Sequence, residues 1–468
     1  MAGARKLRRP ARGAIAGVAV LVLASSACAD TLEGALVQAY QNNPSLNSQR
    51  AAVRATDEGV PQALAGYRPK VSINGSVGSQ YWDTTTRSST FAATYSHLSG
   101  TMTPSNVGIT ATQTLYNGFQ TANRTRTAES QVQAARETLR VTEQTVLLNA
   151  VTAYMNLLRD SAILDLQRRN VEVLQEQLRQ TRDRFNVGEV TRTDVAQSES
   201  RLAAGRSQVL SAEATYKASV ATYRQVIGVE PGKLAPGSPV DRFSPHDLPG
   251  SIGVATATHP AVTSAQYNVD AALLQVKVAE GALYPTLSLQ GNVQQSYEST
   301  LLQLKTFNAS VIGQLSVPIY QGGAEYSLIR QAKETLGQQR LNLDVARDQV
   351  RQTVVQSWGQ LEAAKANIDA TQANVQASEI ALNGVREEAR VGQRTTLDVL
   401  NAQQELVNAR VSLVSAQRDR VVASYTLLAA VGRLSPQVLS LRVPVYDSNV
   451  HYQQVRDTWA GVRTPDGK

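Results

Sequence analysis

The 468-residue chain has one cysteine, four histidines, five phenylalanines and three tryptophans. A single cysteine excludes an intrachain disulfide. His97, His246, His259 and His451 are scattered without ligand spacing, so no metal site is expected. There is no phosphate-cradling glycine loop and no nucleophile-elbow serine. The acids are spread along helix faces, where solvation is their ordinary state. Neither catalysis nor a cofactor is expected. So few large aromatics make a poor recipe for one big core. With 30 glycines and much Ala, Gln, Val and Leu, the composition suits long helices packed through small residues.

Long apolar runs are also missing. The one stretch of that kind, Ala14 to Ala24, is too short to span a bilayer as a helix. It follows a basic segment (Arg5, Lys6, Arg8, Arg9, Arg12) and precedes Ala27-Cys28-Ala29, a small-x-small cleavage pattern. Residues 1–29 are therefore expected to be an export signal, with Asp30 as the new N-terminus. Acylation at Cys28 lacks the aliphatic residue usual three positions upstream, and Arg8-Arg9 is a weaker twin-arginine match. Removing the five basic residues takes the net charge from +8 to +3. The high isoelectric point then says little, and no nucleic-acid partner is expected.

What the chain does have is itself, twice. At an offset of 216, Pro44 meets Pro260, Pro69 meets Pro285 and Gly75 meets Gly291. At an offset of 204, Tyr116 meets Tyr320, Gly118 meets Gly322, Gly188 meets Gly392, Asp194 meets Asp398 and Gly228 meets Gly432. The repeats run about 32–228 and 248–432, and the first has a longer insert between 77 and 107. Two copies do not make a solenoid. The division expected is 30–228 as first repeat, 229–259 as a Pro/Gly-rich linker, 260–432 as second repeat and 433–468 as tail.

Each repeat breaks at a proline into period-two segments, expected as strands at about 70–82, 105–116, 286–297 and 308–320. These have the length a tilted transmembrane strand needs. Tyr67, Tyr116, Tyr284 and Tyr320 mark one end; Tyr81, Trp82, Tyr297 and Phe307 mark the other, like two membrane girdles. A soluble sheet with incidental aromatics is the plainer alternative. Four strands cannot close a membrane barrel, so spanning strands imply an oligomer.

After Tyr116 the pattern is helical for about 65 residues, on the order of 100 Å. Apolar residues keep a seven-residue step, Leu157-Leu164-Val171-Leu178-Phe185 and Leu361-Ile368-Val375-Leu382-Ala389, which predicts supercoiled helices. Gly188 and Gly392 stop these helices, and Thr191-x-x-Asp194 and Thr395-x-x-Asp398 restart the chain as capping boxes.

These features together, with "ALYPTLSLQG", "LYNGF", "IYQGG" and the "VGxxTxxDV" tips, resemble the TolC family of outer-membrane efflux and secretion proteins. The resemblance implies a mixed α and transmembrane β fold. Long antiparallel helical hairpins would form a periplasmic α-barrel, and four strands per chain would join a shared 12-stranded β-barrel in a homotrimer. It implies a passive exit duct across outer-membrane lipid, serving a periplasmic membrane-fusion adaptor and an inner-membrane ABC or RND-type transporter. An iris-like gate would lie at Thr193, Asp194, Arg394, Asp398 and Asn401, with Arg394 reaching Thr193 and Asp194 of an adjacent hairpin. The adaptor would meet Val187, Gly188, Glu189 and Thr191, and Val391, Gly392, Gln393 and Thr395. Asn401 stands where the family often has an aspartate, and Ala389 where it often has a tyrosine. The "YDSNVHYQQVRDTW" tail resembles type I secretion members. The alternative class is an exported coiled-coil scaffold without a pore.

Overall fold

The computed structural model describes residues 30–87 and 95–465. The expected export signal, including Cys28, lies outside the described residues.

The chain opens with α1 (Leu32–Asn42), α2 (Pro44–Asp57) and α3 (Gly59–Leu64). Four strand segments follow: β1 (Lys70–Val77), β2 (Gln80–Arg87), β3 (Tyr95–Met102) and β4 (Ser105–Asn117). Then come α4 (Gln120–Asn186) and α5 (Arg192–Ile227). The second repeat supplies α6 (Leu248–Thr258), α7 (Pro260–Gly281), β5 (Thr286–Thr300), β6 (Gln303–Ser316), α8 (Ala324–Arg390) and α9 (Thr396–Ala430). A last helix, α10 (Ser448–Val455), lies in the tail.

The duplication holds to the residue. The offset of 216 carries the whole of α1 onto α6, and the offset of 204 carries α4 onto α8, 67 residues each. At 1.5 Å per residue each long helix is on the order of 100 Å. Its lower half is paired by the return helix, α5 or α9, and the upper part of α4 packs against α2 and α7. The heptad track is the seam: Leu157, Leu164, Leu178, Leu361 and Leu382 are buried. Leu174, Leu178 and Leu202 form one hairpin core with Leu400 of the other hairpin, and Leu382, Val399 and Leu406 form a second. The track frays at its end, where Phe185 is exposed.

The sheet order is β1-β4-β5-β6, all antiparallel, while β2 and β3 form a separate ribbon. Three expectations need correction. The strand expected over 70–82 is interrupted at Gly78-Ser79: Gly78 N–H still donates to Pro104 O (3.0 Å), but Pro104 has no N–H to return, and the same register resumes at Gln80 opposite Met102, which puts Tyr81 and Trp82 on the ribbon. The strand expected to reach 320 stops at Ser316, because Pro318 has no N–H for a ladder and Gly322 and Gly323 turn at positive φ. The linker expected over 229–259 contains α6, which belongs to the second repeat as the counterpart of α1.

The main core lies where α1, α2, α5 and α9 surround the middle of α4, around Tyr40, Leu147, Tyr154, Tyr223 and Leu428. The chain either side of this core wraps it as a belt. Asp30 pairs with Leu234, and the Tyr154 hydroxyl lies 2.6 Å from both Asp30 O and Ala235 O.

Candidate functional site

Strand register sorts the sheet into two chemical faces. Ile73 lies opposite Ile109, Ile109 opposite Val293, and Val293 opposite Ala309. Val71, Val107, Leu289, Val311 and Leu315 share that face. The other face carries Ser72, Asn74, Thr110, Gln290, Asn292 and Ser310. The apolar face stands open: Ile73 is 73% and Val311 75% exposed. Such a face is stable against lipid and unfavourable in water. Along β5, 15 residues at about 3.3 Å each exceed the hydrocarbon thickness even when tilted. Among the described residues, the outer edges of β1 and β6 have no strand partner. Lipid cannot satisfy those backbone groups, so further copies must. Since β1 and β6 run in opposite directions, β6 of one copy can pair antiparallel with β1 of the next.

Tyr67, Tyr116, Tyr284 and Tyr320 gather where strands meet helices. Tyr116 sits beside a bulge opposite Leu287, its ring edge-on to Phe119 at 5.5 Å. At the far end Tyr297 lies opposite Ser105 and Lys305, and Phe307 opposite Gln295, both on the apolar face. Tyr81 and Trp82, on the ribbon, stand beyond this row.

At the opposite pole of the molecule the two hairpin tips share one construction. Gly188 and Gly392 both take φ +80°, and the next N–H, of Glu189 or Gln393, donates to Arg184 O or Glu388 O at 2.9 Å. Thr191 and Thr395 cap α5 and α9. Asp194 Oδ2 accepts from Thr191 N (2.9 Å) and Oγ1 (2.7 Å), and Asp398 Oδ2 accepts from Thr395 N and Oγ1 (both 2.9 Å). Those donors hold the Asp398 carboxyl below its ordinary range. Both caps use one carboxylate oxygen only. Val187 and Val391 project from the tips, exposed.

The two tips are braced by ion pairs of opposite sense. In the first, Arg184 Nε reaches Glu189 Oε2 at 3.0 Å; in the second, Arg394 Nε reaches Glu388 Oε2 at 2.8 Å. Matched positions 184 and 388 thus carry opposite charges. Arg394 lies with Asp194 along one groove between the tips, but within a single chain its salt bridge goes to Glu388. Thr193, in the first turn of α5, is exposed. Asn401 is not an idle replacement: its Oδ1 accepts from Arg201 Nη2 of α5 at 2.7 Å, tying the two hairpins together. Gln403 strengthens the tie, accepting from Arg386 (3.1 Å) and donating to Asn170 (3.4 Å). Arg201 and Glu388 were missed from sequence, although the opposed charges at 184 and 388 were visible in the alignment of the repeats. Among the described residues, no group of three or more His, Cys, Asp or Glu is placed to hold a metal ion.

An open-edged sheet, apolar on one face and polar on the other, carried on 100 Å helical hairpins, is one segment of an outer-membrane channel with a large periplasmic helical portion. The comparisons agree. The model of the family described as "Outer membrane efflux protein" matches residues 35–229 and 252–433, and the chain belongs to that family. It is 43% identical over 444 residues to the outer membrane efflux protein BepC of Brucella suis, covering 95% of this chain and 94% of that one. It is 26% identical over 440 residues to outer membrane protein TolC of Escherichia coli, covering 90% and 86%. Its fold matches the solved structure of CusC with a TM-score of 0.73 at 18% identity, covering 86% of this chain and 92% of that one. The chain is a TolC-like outer-membrane export duct.

Proposed function

We propose that three copies close into one continuous duct, gated at its periplasmic tips. The observation that carries this is the inequality of two helices that the sequence makes equivalent. Along α4, Val151 is buried; at its counterpart on α8, Val355 is 46% exposed. Among the described residues, helix α4 is flanked on both sides, by α5 and by α9, whereas the return helix that pairs with α8 is α9. On the far flank, Leu210 of α5 is also exposed. Seating α8 of one copy against α5 of the next gives α8 what α4 already has, and the same rotation brings β6 to β1. Two copies would give eight strands, an interior that side chains fill; three give twelve and room for a water-filled lumen.

In this reading the polar sheet face lines the lumen and the tyrosines flank the lipid. The tips, with exposed Val187 and Val391, dock a periplasmic adaptor joined to an ABC or RND-type inner-membrane transporter. Arg394 is the latch: it exchanges Glu388 of its own hairpin for Thr193 and Asp194 of a neighbouring one, where the carboxylate oxygen not used by the cap remains to accept it. Protein secretion and small-molecule efflux are both served by such a passive duct, and the tail favours secretion.

The test is single-channel conductance in planar bilayers. The wild type is expected to conduct weakly and Arg394→Ala clearly more. Equal conductance would remove Arg394 from the gate and leave the channel. Failure of a folded sample to insert would sink the duct.

A further inference from the structure

The tail has a path that the duct does not explain. It climbs alongside α2 and α3 in step with them. At the belt, Tyr446 N donates to the Tyr40 hydroxyl (3.3 Å), and Arg50 lies over both rings, at 4.5 Å from Tyr40 and 5.3 Å from Tyr446. About two turns of α2 further on, His451 Nδ1 meets the buried Asp57 Oδ2 at 3.0 Å. There Arg136 of α4 closes the clasp: its Nη1 donates to Asn449 Oδ1 (2.6 Å), and its guanidinium lies 5.2 Å from the Tyr452 ring. Tyr452, like Ala63 and Leu64 of α3, packs against the cluster of Val60, Ala128 and Val132. Finally Arg68 Nη1 donates to Thr458 O (2.8 Å), and its guanidinium covers the Trp459 ring at 4.6 Å. Arg68 is two residues from the start of β1. The tail therefore reaches the foot of the barrel at Thr458 and Trp459.

Trp459 is 72% exposed there, and Val462 beyond it is fully exposed. The offset of 216 makes Arg68 the counterpart of Tyr284, itself an exposed ring at the foot of β5. The second repeat supplies its own aromatic at this position. The first supplies a cation, and the tail brings the ring to it.

We propose that Trp459 is an interfacial anchor, seated with Arg68 among the phospholipid headgroups of the periplasmic leaflet. This rests on the outer-membrane reading of the sheet. An indole prefers the headgroup level, with its ring toward the acyl chains and its N–H in the wet layer. The guanidinium stacked on it, with Lys70 two residues further along, meets the phosphates. The His451–Asp57–Arg136 clasp holds the strap so that the ring stays at that depth.

The test uses the full chain in phospholipid bilayers, with Trp82 and Trp358 replaced by Phe so that Trp459 alone emits. Conductance of the same preparation establishes insertion. The expected result is strong loss of emission with lipids nitroxide-labelled at the headgroup or top of the acyl chain, less with deep labels, and weak quenching by aqueous iodide. Arg68→Ala should shift the balance toward iodide. Full iodide quenching with no lipid effect would overturn the anchor, and so would shielding from both quenchers, which would put the ring against a neighbouring copy. In either case conductance would leave the duct standing. A folded preparation without conductance would overturn both.

Discussion

Tyr154 shows how one side chain fixes the belt of this molecule. It is fully buried at the middle of α4, and its hydroxyl sits at 2.6 Å from the carbonyls of Asp30 and Ala235, joining the start of the described chain to the inter-repeat linker. Only a neutral phenol can donate there. Burial pushes its pKa from the ordinary 10.0 up to about 12, and Tyr223 beside it is pushed up in the same way. A folded pKa raised above the unfolded one contributes stability that is complete below pH 10 and is lost as pH climbs from 10 through 12. Tyr154→Phe should therefore cost about 1–3 kcal/mol, the range for buried partners left unpaired. It should also flatten the fall in thermal stability between pH 10 and pH 12, measured by circular dichroism melts. An unchanged alkaline profile would mean that the belt is fastened elsewhere.

Elements in this fold are set by their joints. The turn from β4 into α4 passes Gly118 at φ +64°, with Phe119 also left-handed, and it touches the end of α7. A Cβ on Gly118 would lie 2.3 Å from Gly281 O and 2.8 Å from Tyr284 Cβ, whereas one on its counterpart Gly322 would meet nothing within 4 Å of the same chain. Gly118→Ala thus combines left-handed strain of roughly 1–2 kcal/mol with a backbone clash that no rotamer relieves. It should sharply reduce the yield of folded, membrane-inserted protein, while Gly322→Ala should cost the strain alone in the single chain. Equal yields for the two variants would contradict this account of the joint. Such joints were legible in the sequence because repeats expose them: Gly118 and Gly322, Gly188 and Gly392, and the two capping boxes stand at fixed offsets. So were the long helices, whose seven-residue track is what becomes buried. The tail was not legible in this way. Its clasp joins Asp57 to His451 and its strap Arg68 to Trp459, contacts across almost the whole chain that no local period announces. The ribbon was hidden for a different reason. Strand alternation continues through Gly78-Ser79, and the ladder is interrupted only because Pro104, which accepts from Gly78 N–H, has no N–H to give back.

For the whole molecule, what a single chain leaves uncovered is as informative as what it buries. Lipid can cover the apolar sheet face, but it cannot serve the free edges of β1 and β6, nor the side of α8 around Val355. A groove there is lined by Asp348, Arg351, Gln352, Val355 and Gln356. If this side is the seam between copies, a charge at its apolar centre should break the assembly without unfolding the chain. Val355→Asp removes a residue 46% exposed in the single chain, so the isolated fold tolerates it. In the closed duct it buries a carboxylate in each of the seams, beside the Asp348–Arg351 pair, at an expected cost of roughly a few kcal/mol per seam. The expected outcome is a detergent-solubilised protein with wild-type helix content whose mass, by light scattering, is that of one chain where the wild type has that of three. Val151→Asp, at the matched position inside the chain, should instead lose helix content, because Val151 is buried in the central core. A Val355→Asp protein of unchanged mass and conductance would place the seam elsewhere on α8.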